Sequence, residues 1–134
     1  KILKSKYKVY CLIGDGECNE GTIWESALIA TNLKLDNLCC IIDNNKSSQE
    51  ILPLPNLKKQ FQSFGWHSIY CDGHSNKSLN KSINIFKKKK KTPTVIVAKT
   101  IKGKGVSFIE NNPMWHHKIP TSKEFNLCLK ELKK

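Results

Sequence analysis

The sequence predicts an α/β fold in which helices flank a mainly parallel β-sheet. Strand-like and helix-like segments alternate along the whole chain, a pattern typical of connected βαβ units. The runs NLCCIID at 37–43 and TPTVIVAKT at 92–100 are short and apolar, as expected for strands buried on both faces. A length of 134 residues suits one domain, so we interpret residues 1–134 as a single domain.

The first half of the chain predicts a strand, a helix and a second strand. The segment YKVYCLIG, residues 7–14, is rich in β-branched and aromatic residues and ends in glycine. A helix is expected over 22–34, because Thr22 and Glu25 have the spacing of a capping box and apolar residues then recur at helical intervals. The apolar run at 37–43 is the second strand.

The second half continues the alternation. The segment NKSLNKSINIFKKK predicts an amphipathic helix with Leu79, Ile83 and Phe86 on one face. The remaining predicted elements are a helix at 57–65, a strand at 66–73, a strand at 92–100 and a closing helix at 122–134.

Composition argues against several classes of protein. The net charge of +12 invites a nucleic-acid partner, but all 23 basic residues are lysine, whereas arginine is the usual choice for bidentate phosphate and base contacts. We therefore interpret the run Lys87–Lys91 as a solvated helix end and expect no nucleic-acid partner. No apolar run is long enough to cross a bilayer and no signal peptide is recognised, so a cytoplasmic protein without a membrane partner is expected.

The six cysteines lack the spacing of a metal or redox motif. Cys11, Cys39, Cys40 and Cys71 lie in apolar, strand-like runs, which favours free buried thiols. The set His67, Cys71 and His74 has metal-like spacing, yet a strand end and turn containing these residues by chance is the favoured interpretation.

Polar loops follow three of the predicted strands. They are GDGE after the first, DNNK after the second and KTIKGKG after the fourth. In parallel α/β sheets, ligands bind beyond the carboxyl ends of the strands, so these loops predict a site. Asp15 and Asn45 would bring a carboxylate and an amide oxygen there, the ligand types that hard divalent cations prefer. A lone GDG is also compatible with a tight turn, but Asn45 at this distance across a βαβ unit favours the cation site.

Long motifs resemble one family. One stretch resembles the thiamine-diphosphate motif as it occurs in transketolases: GDGECNEGTIWESALIATNLKLDNLCCIIDNNK. Its sequence is most similar to that of the N-terminal subunit of split transketolases. The stretches FGWHSIYCDGH and AKTIKGKGVSFIENNPMWHHK are similar to later transketolase segments, so the resemblance covers essentially the whole chain. It implies the thiamine-diphosphate-binding fold, here lacking the first strands that the family carries upstream.

The resemblance implies a cofactor site with thiamine diphosphate and Mg²⁺ (or Ca²⁺). Asp15 and Asn45 would bind the cation through their side chains, and Ser47 through its backbone carbonyl. His116, the implied catalytic residue, would lie near the diphosphate and the reacting carbon, with an exposed loop histidine as the alternative. The residues implied at the cofactor are Gly14, Asp15, Gly16, Glu17, Asn45 and His116.

The resemblance also implies partners. The chain would be the diphosphate-binding half of an enzyme that transfers a two-carbon ketol unit between sugar phosphates in the pentose phosphate pathway. A pyrimidine-binding C-terminal subunit or domain would complete a dimer or heterotetramer, with Glu20 and Glu25 near the interface.

Alternatives stay open at this point. The GDG motif is shared with deoxyxylulose-phosphate synthase and with the E1 subunits of 2-oxo-acid dehydrogenases. After DNNK the chain continues KSSQEILP, a shorter connection than the family has, which together with the missing upstream strands makes an inactive truncated remnant the other alternative.

Overall fold

The computed structural model describes residues 6–48 and 52–133, and the chain divides into two compact units between Thr100 and Ile101. The elements of the first unit are β1 (Val9–Gly14), α1 (Gly21–Asn32), β2 (Leu38–Asn44), α2 (Leu57–Ser63), β3 (His67–Asp72), α3 (Asn76–Lys88) and β4 (Thr94–Lys99). The second unit contains α4 (Ser122–Leu132). Short 3₁₀ turns occur at Gly16–Asn19 and Pro113–Trp115.

The four strands form one parallel sheet in the order β1-β2-β4-β3. The two strands predicted from continuous apolar runs, β2 and β4, occupy the interior of the sheet, which confirms the predicted α/β class. Gly14 lies opposite Asp43, and Asn44 lies opposite Lys99. The carboxyl ends of these three strands therefore meet at one edge.

Helices cover both faces of the sheet. On one face, Ala27 and Ala30 of α1 and Phe61 of α2 pack in a core with Ile42 and Val97 of the sheet. This core is tied by the Trp66 indole N–H, which donates to the carbonyl of Ala27 at 2.9 Å. Such a bond satisfies the one polar atom of a buried tryptophan.

The other face is covered by α3. Phe86 is fully buried there, and Leu79 and Ile83 pack against the same cluster, which confirms the predicted apolar stripe. The helix ends at Lys88, and Lys87, Lys88, Lys90 and Lys91 are exposed, as the interpretation of a solvated helix end requires. No helix in the described part of the chain is long and apolar enough to span a membrane.

The predicted capping box of α1 is wrong. The helix begins at Gly21, and its N-cap is Glu20, whose extended backbone makes no side-chain cap bond. Because a capping box needs its serine or threonine in that extended N-cap position, Thr22 lies too far along to serve. A true capping box occurs in the second unit, where Thr121 and Glu124 each bond the other's backbone N–H.

The expectation for the cysteines holds with one exception. All six are free, and Cys39, Cys40 and Cys71 are buried. Burial raises the pKa of the Cys39 thiol to about 12. Cys11 is exposed, contrary to the prediction, because β1 is an edge strand.

The three residues with metal-like spacing lie on β3 and in the turn after it. His67 and Cys71 lie within the strand and His74 lies in the turn that follows it. Over the residues described, no group of three metal-ligating side chains is found. The strand and turn that the sequence favoured for these residues are observed.

Candidate functional site

Asp15 lies at the point where β1 ends, and its carboxylate is buried with a residue exposure of only 4%. Its own N–H donates to the carbonyl of Asp43 at 3.0 Å, which continues the parallel ladder by one residue. One carboxylate oxygen accepts from the backbone N–H of Lys46 at 2.6 Å, and the other accepts from the Ser48 hydroxyl at 3.3 Å. Asp15 thus joins the loop after β1 to the loop after β2.

The Asp15 carboxylate accepts hydrogen bonds but forms no ion pair with a described residue. Within residues 6–48 and 52–133, no lysine or histidine forms an ion pair with this carboxylate. Its hydrogen-bond donors are neutral, an amide and a hydroxyl. A buried carboxylate is costly unless it is paired or binds a metal, so this position suits a cation.

The loop after β2 holds Asn45 in a fixed orientation. Its amide group donates to the Asp43 carboxylate at 3.1 Å, and its side-chain oxygen accepts from the Ser47 N–H at 2.9 Å. Lys46 between them has a φ of 64°, in the left-handed region. A lysine in that conformation stores strain, a feature that clusters at functional sites.

Asp43 is a positioning residue that sequence reasoning missed. One of its oxygens accepts from Asn45, and the other accepts a short hydrogen bond from the Thr100 hydroxyl at the end of β4. Asp43 therefore links the ends of two strands beneath Asn45. Its place at the start of DNNK was the available signal, but the resemblance drew attention to Asn45.

The glycines of GDG allow a close approach of the two loops. A Cβ built on Gly16 would lie 3.3 Å from the Cβ of Ser48, tighter than ordinary packing. The Gly14 N–H donates to the Glu17 carboxylate at 2.7 Å. The structure thus brings Gly14, Asp15, Gly16 and Glu17 together with Asn45 and Ser47.

The glutamates expected at an interface lie on the surface. Glu20 is the N-cap residue of α1 and Glu25 lies in its second turn, and both are exposed. Their part in an interface stays a prediction. Of the connection KSSQEILP, predicted to be shorter than in the family, residues 49–51 lie outside the described residues.

The second unit contains His116, directly after the 3₁₀ turn Pro113–Trp115. Its ring Nδ1 lies 2.5 Å from Nζ of Lys102, and the rings of His116 and His117 are 4.3 Å apart. The charge of Lys102, and then His117, lowers the pKa of His116 below its ordinary value, which favours the neutral imidazole. Sequence reasoning did not single out Lys102, although it lies in the polar loop KTIKGKG that follows β4.

The donor set at the end of β1 and β2 fits a hard divalent cation. A carboxylate, an amide oxygen and a backbone carbonyl are oxygen ligands, and Mg²⁺ commonly takes few of these from the protein. The cation would supply the positive charge that the buried Asp15 lacks. The residues present therefore fit an Mg²⁺ or Ca²⁺ ion and an anionic ligand beside it.

Comparison with known proteins gives one family. The family model described as "Transketolase, thiamine diphosphate binding domain" matches residues 3–126. Among curated proteins, an apulose-4-phosphate transketolase subunit of Actinobacillus succinogenes is 43% identical over 134 residues, covering 96% of this chain and 48% of that protein. Human transketolase is 44% identical over 120 residues, covering 86% of this chain and 19% of the human protein. The chain thus spans about half, or less, of the relatives it matches.

Solved structures give the same fold. A transketolase mutant from Pichia stipitis superposes with a TM-score of 0.84 at 23% identity, covering 93% of this chain and 19% of that one. Transketolase from Campylobacter jejuni superposes with a TM-score of 0.74 at 25% identity, covering 96% of this chain and 25% of that one.

Proposed function

Since this chain belongs to the transketolase family through its thiamine-diphosphate-binding domain, we propose that it holds the diphosphate of that cofactor through a divalent cation. The observation that carries the proposal is the buried carboxylate of Asp15, which has no ion-pair partner among the described residues. The Lys46 N–H joins it to the loop of Asn45. Family membership favours a transferase. We further propose that the chain takes a divalent cation, sugar-phosphate substrates and a pyrimidine-binding partner.

The residues have separate tasks in this proposal. Asp15 and Asn45 bind Mg²⁺ (or Ca²⁺) through side-chain oxygens, and Ser47 through its carbonyl. Gly14 and Gly16 keep the loop free of side chains where a phosphate approaches the backbone, while Glu17 fixes the Gly14 N–H. When bound, thiamine diphosphate supplies a nucleophilic carbon and an electron sink for breaking a carbon–carbon bond.

The second unit contributes a polar pair. The charge of Lys102 lowers the pKa of His116, which favours a neutral ring that can donate one hydrogen bond and accept another. The lysine ammonium adds a positive charge suited to a phosphate group. We assign this pair to contacts with the cofactor or with a sugar phosphate.

The proposed reaction is transfer of a two-carbon ketol unit between sugar phosphates, as in the pentose phosphate pathway. One relative is named as one subunit of an apulose-4-phosphate transketolase, which supports a split enzyme with a second subunit. The partner would carry the pyrimidine-binding part, and the exposed Glu20 and Glu25 would face it in a dimer or heterotetramer.

Calorimetry and a coupled assay test this proposal. The chain is mixed with Mg²⁺, thiamine diphosphate and the pyrimidine-binding subunit of a split transketolase, and heat of binding and ketol transfer are measured. We expect saturable binding of the cofactor that requires the cation, and activity with a ketose phosphate donor. Cofactor binding that is unaffected by Asp15→Asn, or turnover of pyruvate in place of ketose phosphate, would overturn it.

A further inference from the structure

The hydroxyl of Ser48 lies beside the carboxylate of Asp15. Its oxygen is 3.3 Å from Oδ1 of Asp15, while Oδ2 of the same carboxylate accepts from the Lys46 N–H at 2.6 Å. A hydrogen bond from a hydroxyl to a carboxylate is ordinarily about 2.5–2.7 Å long. Oδ1 is therefore held only weakly, and it is the Asp15 oxygen that remains available to a cation.

The surrounding backbone holds Ser48 in this place. The Leu52 N–H donates to the Ser48 carbonyl at 3.0 Å. A Cβ built on Gly16 would lie 3.3 Å from the Ser48 Cβ, so the serine side chain fits here because Gly16 has none. The position of the hydroxyl thus follows from the packing of the two loops, and a strong hydrogen bond to Asp15 is not needed to explain it.

The spacing of the two oxygens suits a shared cation. Neighbouring ligands in an octahedral shell lie about 1.4 metal–oxygen distances apart, which is about 2.8–3.0 Å around Mg²⁺ and about 3.3–3.7 Å around Ca²⁺. The distance of 3.3 Å between Ser48 Oγ and Asp15 Oδ1 matches the larger cation.

Asp43, the carboxylate closest in sequence to Asn45, is engaged elsewhere. One of its oxygens accepts from the Asn45 amide at 3.1 Å, and the other accepts from the Thr100 hydroxyl. Ser48 is therefore better placed than Asp43 to add an oxygen to the proposed cation site.

A serine hydroxyl can bind a hard cation. Its oxygen has two lone pairs besides the O–H bond, so the hydrogen can turn away while a lone pair faces the cation. Serine and threonine hydroxyls bind Mg²⁺ in this way in P-loop proteins. The hydroxyl is neutral, so it adds a ligand without adding charge. Each further protein oxygen favours Ca²⁺, because Ca²⁺ takes more oxygen ligands than Mg²⁺, which keeps several waters.

We propose that Ser48 binds the cation through Oγ, as a fourth protein ligand, and gives the site a preference for Ca²⁺ over Mg²⁺. This inference rests on the proposed function and adds to its cation site one ligand and a selectivity. Asp15, Asn45 and Ser47 supply the other protein oxygens. When the Ser48 hydroxyl is removed, a water takes its place and the site distinguishes the two cations less well.

Calorimetry measures the selectivity. Ca²⁺ and Mg²⁺ are titrated separately into the chain with thiamine diphosphate and the pyrimidine-binding subunit of a split transketolase. In Ser48→Ala, Ca²⁺ affinity should fall at least about tenfold and Mg²⁺ affinity by less, since losing even an outer partner of a metal site commonly costs about 10–100-fold. Ser63→Ala is the matched control, because the Ser63 hydroxyl donates to the Gln60 carbonyl at 2.6 Å at the end of α2. It should leave both dissociation constants unchanged.

Two further measurements distinguish a ligand from a residue that only positions Asp15. Eu³⁺ replaces Ca²⁺, and its luminescence lifetimes in H₂O and D₂O count the bound waters, of which Ser48→Ala should have about one more. Ser48→Cys should lose Ca²⁺ affinity and gain affinity for Cd²⁺ over the unmodified chain, because a thiolate prefers softer cations. Both variants are expected to fold, because Asp15 keeps its hydrogen bond from Lys46.

The results that overturn this inference differ from those that overturn the proposed function. An unchanged ratio of the Ca²⁺ and Mg²⁺ affinities in Ser48→Ala would overturn the selectivity. An unchanged number of bound waters, or no gain of Cd²⁺ affinity in Ser48→Cys, would show that Ser48 is not a ligand. If neither cation binds the unmodified chain, the proposed function fails, and this inference fails with it.

Discussion

The carboxylate of Asp15 accepts a hydrogen bond of 2.6 Å from the backbone N–H of Lys46, 31 residues further along the chain. This bond joins the ends of two neighbouring parallel strands and places Asp15 beside the loop of Asn45. Because neutral groups make the hydrogen bonds, the charge of Asp15 remains for a cation to balance.

Asp15→Asn should remove cofactor-induced stabilisation. The amide keeps the shape of the side chain and can still bond Lys46 and Ser48, so the chain is expected to fold. At a ligand concentration of 100 times Kd, the original chain gains about 2.7 kcal/mol and the variant gains nothing. Thermal unfolding with and without Mg²⁺ and thiamine diphosphate measures this.

Asp72→Asn is the matched control for that change. Asp72 ends β3 and accepts from the His74 N–H at 2.9 Å, but it lies outside the proposed cation site. The stabilisation of the Asp72→Asn variant by Mg²⁺ and thiamine diphosphate should equal that of the original chain. An equal loss in both variants would contradict the role given to Asp15.

Asn45→Ala should lower the free energy of unfolding even without cofactor. The change deletes the bonds to Asp43 and Ser47, at a cost of about 1–3 kcal/mol. Urea unfolding checks this, with the exposed helix residue Asn84→Ala expected within about 0.5 kcal/mol of the original chain. Equal stabilities for both variants would show that Asn45 is not held as described.

Gly65→Ala should destabilise the chain. Gly65 has a φ of +85° at the end of α2, and a Cβ there would lie 2.8 Å from Thr31 Cγ2. The left-handed conformation alone costs alanine about 1–2 kcal/mol, before any steric clash. Gly21→Ala, in open space at the start of α1, should cost nothing measurable in the same urea experiment.

Lys102→Ala should raise the pKa of His116. The neighbouring lysine charge is the main cause of the lowered pKa, so its removal lets the ring take up a proton at higher pH. An NMR titration of His116 measures the change. Lys104→Ala is the control, since the Lys104 ammonium pairs with the Glu110 carboxylate at 3.4 Å. This variant should leave the pKa of His116 unchanged.

Much of the fold was predictable because it depends on local pattern. The continuous apolar runs of β2 and β4 identified interior strands, and the spacing of Leu79, Ile83 and Phe86 identified the buried face of α3. Helix ends depend on the backbone angles of single residues, which pattern does not reveal. Thr22 therefore looked like a cap, although Glu20 occupies that position.

The candidate site was predictable in part. The motifs located Asp15 and Asn45, because parallel strands end at one edge of a sheet. Asp43 and Ser48 were missed, since their roles arise from hydrogen bonds across loops distant in sequence. The exposure of Cys11 depends on strand order, which the sequence alone did not determine.

Paramagnetic NMR with Mn²⁺ in place of Mg²⁺ tests the central claim most directly. In the presence of thiamine diphosphate and the pyrimidine-binding partner, Mn²⁺ should broaden the amide signals of Gly16, Lys46 and Ser47. The Trp66 indole signal, in the core beneath α1, should remain sharp. If those three amides stay sharp at saturating Mn²⁺, or broaden equally in Asp15→Asn, the account of a cation held between β1 and β2 is contradicted.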